Sequence, residues 1–193
     1  VPHGTQVTGV ILAGGRGRRM GGRDKGWIEL DGRTLIERVL ERFAPQVQRV
    51  VISANRNLER YGALGVQVVA DELPDHPGPL AGLHAAFHAT DAELLAAVPC
   101  DSPFFPADLV ARLRGALLAA DAEAAIAICA GRMQPTFCLC ARRALVTLDT
   151  ALASGERRVE RWLRGLCLAE VPFQDAEAFR NFNTPDELSG APG

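Results

Sequence analysis

The sequence predicts an α/β fold built on a mostly parallel central sheet. Short apolar runs ending at glycine or aspartate recur along the chain, and segments with apolar residues at helical spacing separate them. The 193 residues, 48% hydrophobic and 23% charged, suit one soluble domain with a buried core. A net charge of -2 argues against the broad basic face that nucleic acid requires.

The first run, "VTGVIL" (7–12), is apolar and stops at glycines, as a buried parallel strand does. In "TLIERVLERF" (34–43), Leu35, Ile36, Val39, Leu40 and Phe43 share one side, and Thr34 with Glu37 makes a capping box, so a helix is expected. "RVVISAN" (49–55) is the second strand, "LERYGAL" a short helix and "VQVVAD" (66–71) the third strand. "PGPLAGLHAAFHAT" (77–90) reads as a turn feeding a helix, with Pro79 in its first turn. "ELLAAVPCD" (93–101) is a fourth strand, and "PADLVARLRGALLAA" (106–120) a helix opened by Pro106. "AAIAICA" and "TFCLCAR" are neighbouring strands joined by "GRMQP", the second being the candidate antiparallel strand. "RALVTLDTAL" and "RVERWLRGL" are helices, "CLAEVPF" is a late strand, and "NTPDEL" starts a last helix with Thr184 as N-cap and Pro185 at its first position.

Ligands of such sheets bind beyond the carboxyl ends of the strands, which directs attention to residues 12–25, 53–57, 71–82 and 101–106. Residues 13–26 hold six glycines, four arginines and one lysine. Bare backbone after a strand, backed by positive charge, suits phosphate oxygens. Two familiar phosphate loops are excluded by spacing. Met20 stands where a dinucleotide fingerprint beginning at Gly15 needs its third glycine, and Arg23-Asp24 replace the Lys-Ser/Thr of a Walker loop spanning Gly17 and Gly22. What remains is a longer cationic loop fit for a triphosphate, with Arg19 and Lys25 as its expected ligands. Asp101, at the end of an apolar strand, either holds a hard divalent cation against phosphate or caps the Ser-Pro turn that follows.

The five cysteines are odd in number and form no C-x-x-C pair, which fits a reducing compartment; Cys138 and Cys140 share a strand face and read as core. No apolar run reaches the ~18 residues of a membrane span, and "VPHGTQ" lacks a signal pattern, so a cytoplasmic protein is expected. His84 and His88 stand at i, i+4, but "HAAFH" has neither the glutamate of a zincin nor a third ligand, so a surface or packing role is expected. Trp27 and Trp162 read as packing residues.

"LAGGRGRRMGGRDKG" (12–26) resembles the signature of nucleotidyltransferases that opens L-A-G-G and continues through R-M-G to a lysine. "ISANR" (52–56), "DELPDHPGPLAGL" (71–83), "VPCDSPFFP" (98–106), "GERRV" (155–159) and "NFNTPDEL" (181–188) narrow the resemblance to the molybdenum cofactor guanylyltransferase family, over nearly the whole chain. The resemblance implies one domain over 1–193 with a Rossmann-like nucleotidyltransferase fold, helices on both sheet faces, and flexible ends at 1–6 and 189–193. It implies that GMP passes from GTP to the terminal phosphate of molybdenum-molybdopterin, with pyrophosphate released and Mg2+ as cofactor. Leu12, Ala13, Gly14, Gly15, Lys25, Ser53, Asp71, Gly78, Pro79 and Asp101 are then the expected GTP-binding residues. Arg19, Lys25 and Asp101 are the expected catalytic ones, and Asp101 the metal ligand. Arg157, Arg158, Asn181 and Asn183 are candidates for the pterin side. Ser53 departs from the asparagine common in the family, while Asn55 matches it. Transient contacts with other cofactor-biosynthesis proteins or acceptor enzymes are expected, and neither nucleic acid nor membrane. Two alternatives stay open: a cytidylyl or sugar-nucleotide transferase with the same loop, and a noncatalytic protein binding the cofactor or nucleotide.

Overall fold

The computed structural model describes residues 6–14, 24–71 and 78–182. The chain forms β1 (Val7–Leu12), β2 (Glu29–Leu30), β3 (Arg33–Thr34), α1 (Leu35–Phe43), β4 (Arg49–Ser53), α2 (Leu58–Gly62) and β5 (Gln67–Val69). It continues through α3 (Pro79–His88), β6 (Leu94–Pro99), α4 (Leu109–Ala119), β7 (Ala124–Cys129), β8 (Arg132–Ala141), α5 (Leu145–Ala153), α6 (Val159–Leu163) and β9 (Leu168–Phe173).

Seven strands make one sheet in the order β5-β4-β1-β6-β8-β7-β9. β1 pairs in parallel with β4 and β6, as β4 does with β5 and β7 with β9. Among the described residues, β8 alone in this seven-stranded sheet runs antiparallel to both of its neighbours. The cause is local: Ala130 and Gly131 adopt φ of 48° and 70°, the left-handed pair of a two-residue hairpin turn, which can only return the chain antiparallel. From β1 the chain moves outward through β4 and β5, then returns to β6 on the other side of β1. That reversal opens a crevice at the carboxyl end of β1.

Helices cover both faces. Alternation along β1 sends Val7 and Ile11 into one core with Ile36, Phe43 and Leu113, and sends Val10 and Leu12 into the other with Leu83, Phe87 and Leu148. At Gly9 a Cβ would come within 2.4 Å of the Phe43 ring, so the missing side chain is what lets α1 seat on β1. Cys138 and Cys140 are fully buried in the second core, on one face of β8 as expected.

The capping box forms: Thr34 accepts from the Glu37 N–H, and Glu37 Oε2 accepts from the Thr34 N–H at 2.9 Å. Three details differ from expectation. β8 begins at Arg132 rather than Thr136, so most of "GRMQP" is paired strand and not a connection. α4 begins at Leu109, and Pro106 instead opens the preceding turn, its carbonyl accepting the Leu109 N–H at 3.1 Å. The β2–β3 ribbon was not anticipated, although its turn is Asp31-Gly32 with φ of 49° and 74°, an Asp-Gly hairpin dipeptide. The expected final helix capped by Thr184 lies outside the described residues.

Candidate active site

The crevice beyond β1 is lined by the ends of three parallel strands: Leu12, Ala13 and Gly14 from β1, Ser53 from β4, and Pro99, Cys100 and Asp101 from β6. Sheet register brings them level, since Leu12 sits between Ser53 and Pro99. Gly78, Pro79 and Gly82 of the α3 turn and helix, Lys25, Thr136 and Asn181 complete the lining. A larger groove, of about 640 Å³, runs along α1 and α4 past Arg38, Arg42 and Arg114, but contains neither Lys25 nor Asp101.

Asp101 is 6% exposed, and its Oδ2 lies 2.9 Å from Lys25 Nζ. Both partners are held by their surroundings. Lys25 opens a single 3-10 turn capped by Asp24, whose Oδ1 accepts the Gly26 N–H at 3.3 Å and the Tyr61 hydroxyl at 2.6 Å, while Oδ2 accepts from Asn57 Nδ2 at 3.0 Å. Tyr61 is fully buried. Burial, with Cys100 and the Asp24 carboxylate adding to it, raises its pKa far above the usual phenol range, so the hydroxyl stays a donor. Trp27 packs on Tyr61 with ring centroids 4.9 Å apart, and the Arg60 guanidinium lies 3.8 Å over Trp27.

On the other side, the Asp101 carbonyl accepts the Phe182 N–H at 2.8 Å, and the Ser102 hydroxyl donates to Asn181 Oδ1 at 2.5 Å. Phe182 anchors this segment by burying its ring with Leu30 and Leu35, edge-on to Phe104. Asn181 is thereby fixed beside Asp101.

The fold revises one expectation about the loop. The Ala13 N–H donates to the Ser53 carbonyl at 2.8 Å, extending the sheet, so this amide is spent and does not serve a phosphate. Gly15 and Arg19 lie outside the described residues, as does Asn183.

Ser53 is 2% exposed and packed against α3. A Cβ at Gly82 would stand 2.7 Å from Ser53 Oγ and 2.8 Å from Leu12 Cδ2, so glycine at this position lets the helix approach the two strand ends. Gly78 precedes α3 with φ of 151°, a conformation that side chains disfavour, and Pro79 takes the first helical position. The positive end of the α3 dipole therefore meets the crevice.

Asp71 pairs reciprocally with Asn55: Oδ2 accepts from Asn55 Nδ2 at 2.6 Å, and the Asp71 N–H donates to Asn55 Oδ1 at 3.0 Å. A Cβ at Gly14 would be 3.7 Å from the same Nδ2, which sets the pair beside the opening loop. Arg157 and Arg158 are exposed on the loop between α5 and α6, and the structure does not bring them into the crevice lining. Both of their amides donate to Glu156 Oε1 at 2.9 Å. These backbone hydrogen bonds hold the Glu156 carboxyl below its usual range.

The donors that face the crevice suit a hard cation. Asp101 contributes a carboxylate, Asn181 an amide oxygen and Thr136 a hydroxyl. Cys100 is the softest neighbour, but burial, reinforced by the Asp101 charge, pushes its thiol pKa well up and keeps it protonated. Asp24, Tyr61, Gly82 and Thr136 were missed from sequence. The Gly at 82 and the Asp before Lys25 were visible, but what they touch was not.

The MobA-like NTP transferase domain family matches residues 9–171. The chain is 48% identical to a molybdenum cofactor guanylyltransferase of Burkholderia ambifaria, over 95% of this chain and 94% of that one. It superposes on the molybdopterin-guanine dinucleotide biosynthesis protein A of Archaeoglobus fulgidus with a TM-score of 0.76 and 28% identity, covering 94% and 95% of the two chains. The 4-diphosphocytidyl-2C-methyl-D-erythritol synthase of Anaerococcus prevotii also reaches a TM-score of 0.76, at 14% identity over 96% and 94% of the chains, a likeness of fold alone.

Proposed function

The chain belongs to the MobA-like NTP transferase family, and from that premise we propose that it transfers GMP from GTP to the terminal phosphate of molybdenum-molybdopterin, giving the guanine dinucleotide cofactor and pyrophosphate. The observation that carries the reading is the meeting of Lys25 and Asp101 at the crevice where β1, β4 and β6 end.

The chemistry asks little proton transfer of the protein. The acceptor is a phosphate monoester, already anionic at neutral pH, and it needs to be held in line with the α-phosphorus of GTP. Lys25, joined by Arg19, neutralises charge that gathers on the departing pyrophosphate. The amino end of α3 and the Gly78-Pro79 turn support the nucleotide, and Asp71 accepts hydrogen bonds from guanine or ribose, with Asn55 fixing its orientation. Asp101, with Asn181 beside it, would hold a divalent ion, which we take to be Mg2+. When bound, such an ion neutralises phosphate oxygens and helps orient the triphosphate. Arg157, Arg158 and Asn183 remain the candidates for the pterin side, and the chain is taken as one catalytic domain.

Choice of base does not follow from the fold, because the cytidylyl-named neighbour shares it. The reading rests there on the named relatives at 48% identity. Among the described residues no helix is long and apolar enough to cross a membrane. The free cysteines, four of them buried, support a reducing cytoplasm as the working compartment. Hand-over of the pterin to and from other cofactor proteins is part of the same proposal.

The test is incubation of the protein with molybdenum-molybdopterin, Mg2+ and either GTP or CTP, with dinucleotide cofactor and pyrophosphate measured. GTP turnover that stops on chelation and returns with Mg2+ is expected. Turnover with CTP and none with GTP would overturn the guanylyl assignment. Binding of GTP with no product from either nucleotide would revive the noncatalytic carrier, and unchanged product formation by Asp101→Ala would remove Asp101 from the catalytic site.

A further inference from the structure

α3 and α5 pack side by side over the second core, and three polar side chains close the seam between them. His84 and His88 stand one turn apart on α3, and Asp149 reaches them from α5. Nε2 of His84 lies 3.0 Å, and Nε2 of His88 3.3 Å, from the same oxygen, Asp149 Oδ1. The imidazole rings lean together with centroids 4.3 Å apart, and the three donor atoms all lie within 4.8 Å of one another. The third ligand that the histidine pair lacks in sequence is thus supplied by the fold.

We propose that His84, His88 and Asp149 form a site for a divalent transition-metal ion, Zn2+ or a neighbour of it in the first row, with water in the remaining position. Bound there, the ion clamps α5 to α3.

Geometry argues first. A tetrahedral Zn2+ with nitrogen and oxygen ligands at ~2.0–2.1 Å sets neighbouring donor atoms about 3.3 Å apart. The two His–Asp separations already match that edge, and rotation of the half-exposed His88 ring adjusts the remaining one. Donor chemistry argues second. Two imidazole nitrogens and one carboxylate select borderline ions such as Zn2+, Co2+ and Ni2+, whereas the oxygen donors beside Asp101 select Mg2+. The two places therefore sort different metals. The opposing arrangement is a metal-free staple in which imidazole N–H groups donate to Asp149, and binding separates the two.

The experiment uses the tag-free full chain, stripped with chelator and titrated with Co2+ while the visible absorption of a four-coordinate ion is followed, then competed with Zn2+. One saturable equivalent is expected, displaced by Zn2+, accompanied by a higher melting temperature. Affinity should fall at least tenfold in His88→Ala, in His88→Gln and in Asp149→Asn, and persist in Asp101→Asn. Melting without metal checks that each variant is folded. Absence of saturable binding, equal binding by His88→Ala and Asp149→Asn, or loss of the signal in Asp101→Asn would each overturn the site.

Discussion

Lys25 Nζ and Asp101 Oδ2 meet at 2.9 Å although 76 residues separate them in the chain. The contact joins the cationic opening loop to the carboxylate at the end of β6. If the pair works as one unit on the triphosphate, Asp101→Asn should lower GMP transfer by about a hundredfold or more, with Lys25→Met close behind. The double variant should be little worse than Asp101→Asn, because residues acting on one charge distribution are not additive. Steady-state rates of the four proteins check this; full additivity would separate the two roles.

Tyr61 is expected to act on Lys25 through Asp24. Tyr61→Phe leaves Asp24 short of a buried donor and should cost about 1–2 kcal/mol in urea unfolding. It should also raise KM for GTP or lower kcat under conditions where the variant is fully folded, since the 3-10 turn carrying Lys25 loses its anchor. A variant with reduced stability and unaltered kinetics would make Tyr61 a purely structural residue.

Gly82 presses α3 against two strand ends. Gly82→Ala should lower stability by about 1–3 kcal/mol through overpacking and weaken GTP binding, because the helix that lines the crevice must shift. Ser53→Ala in the same chain removes the Oγ that stands 2.7 Å from the new methyl and should recover part of the loss. Thermal melts and GTP titration of the single and double variants read the coupling.

The start of α1 supplies a pH-dependent contribution. Hydrogen bonds from Thr34 hold the Glu37 carboxyl below its usual range. A carboxyl whose folded pKa is depressed adds stability that is complete above its ordinary pKa and is lost as pH falls through the folded value. The advantage of the native chain over Glu37→Gln should therefore be present near neutral pH and vanish in acid below about pH 4. Thr34→Ala should cost ~1 kcal/mol at neutral pH. Denaturant midpoints across that range test both, and an advantage that grows on acidification would contradict the cap as described.

Much of this molecule was legible because its information is local. Apolar runs of strand length marked β1, β4, β5 and β6, helical spacing marked α1, Pro79 after a turn marked α3, and Thr34 with Glu37 marked the start of α1 in a four-residue window. Chain direction was legible in part: the short connection after "AAIAICA" made the next strand a candidate antiparallel one, while the two-residue Ala130-Gly131 turn came from the structure. The position of Asp101 just past a strand, in a fold whose ligands gather at such ends, made it a candidate, and the family resemblance supplied the expected metal role.

What the chain order did not reveal are relationships set by sheet register and helix packing. That the Ala13 amide is consumed by Ser53, that Asp24 is gripped by Tyr61 and Asn57, and that Gly82 exists to admit the Ser53 and Leu12 side chains each depend on segments brought together across the sheet. The histidine pair shows the difference most directly. His84 and His88 are neighbours by helical periodicity alone, but Asp149 joins them across 61 residues only because α3 and α5 bury their apolar stripes side by side on one sheet face. Periodicity acts over a few bonds and can be read in one dimension, whereas these distances follow from how whole elements exclude water together.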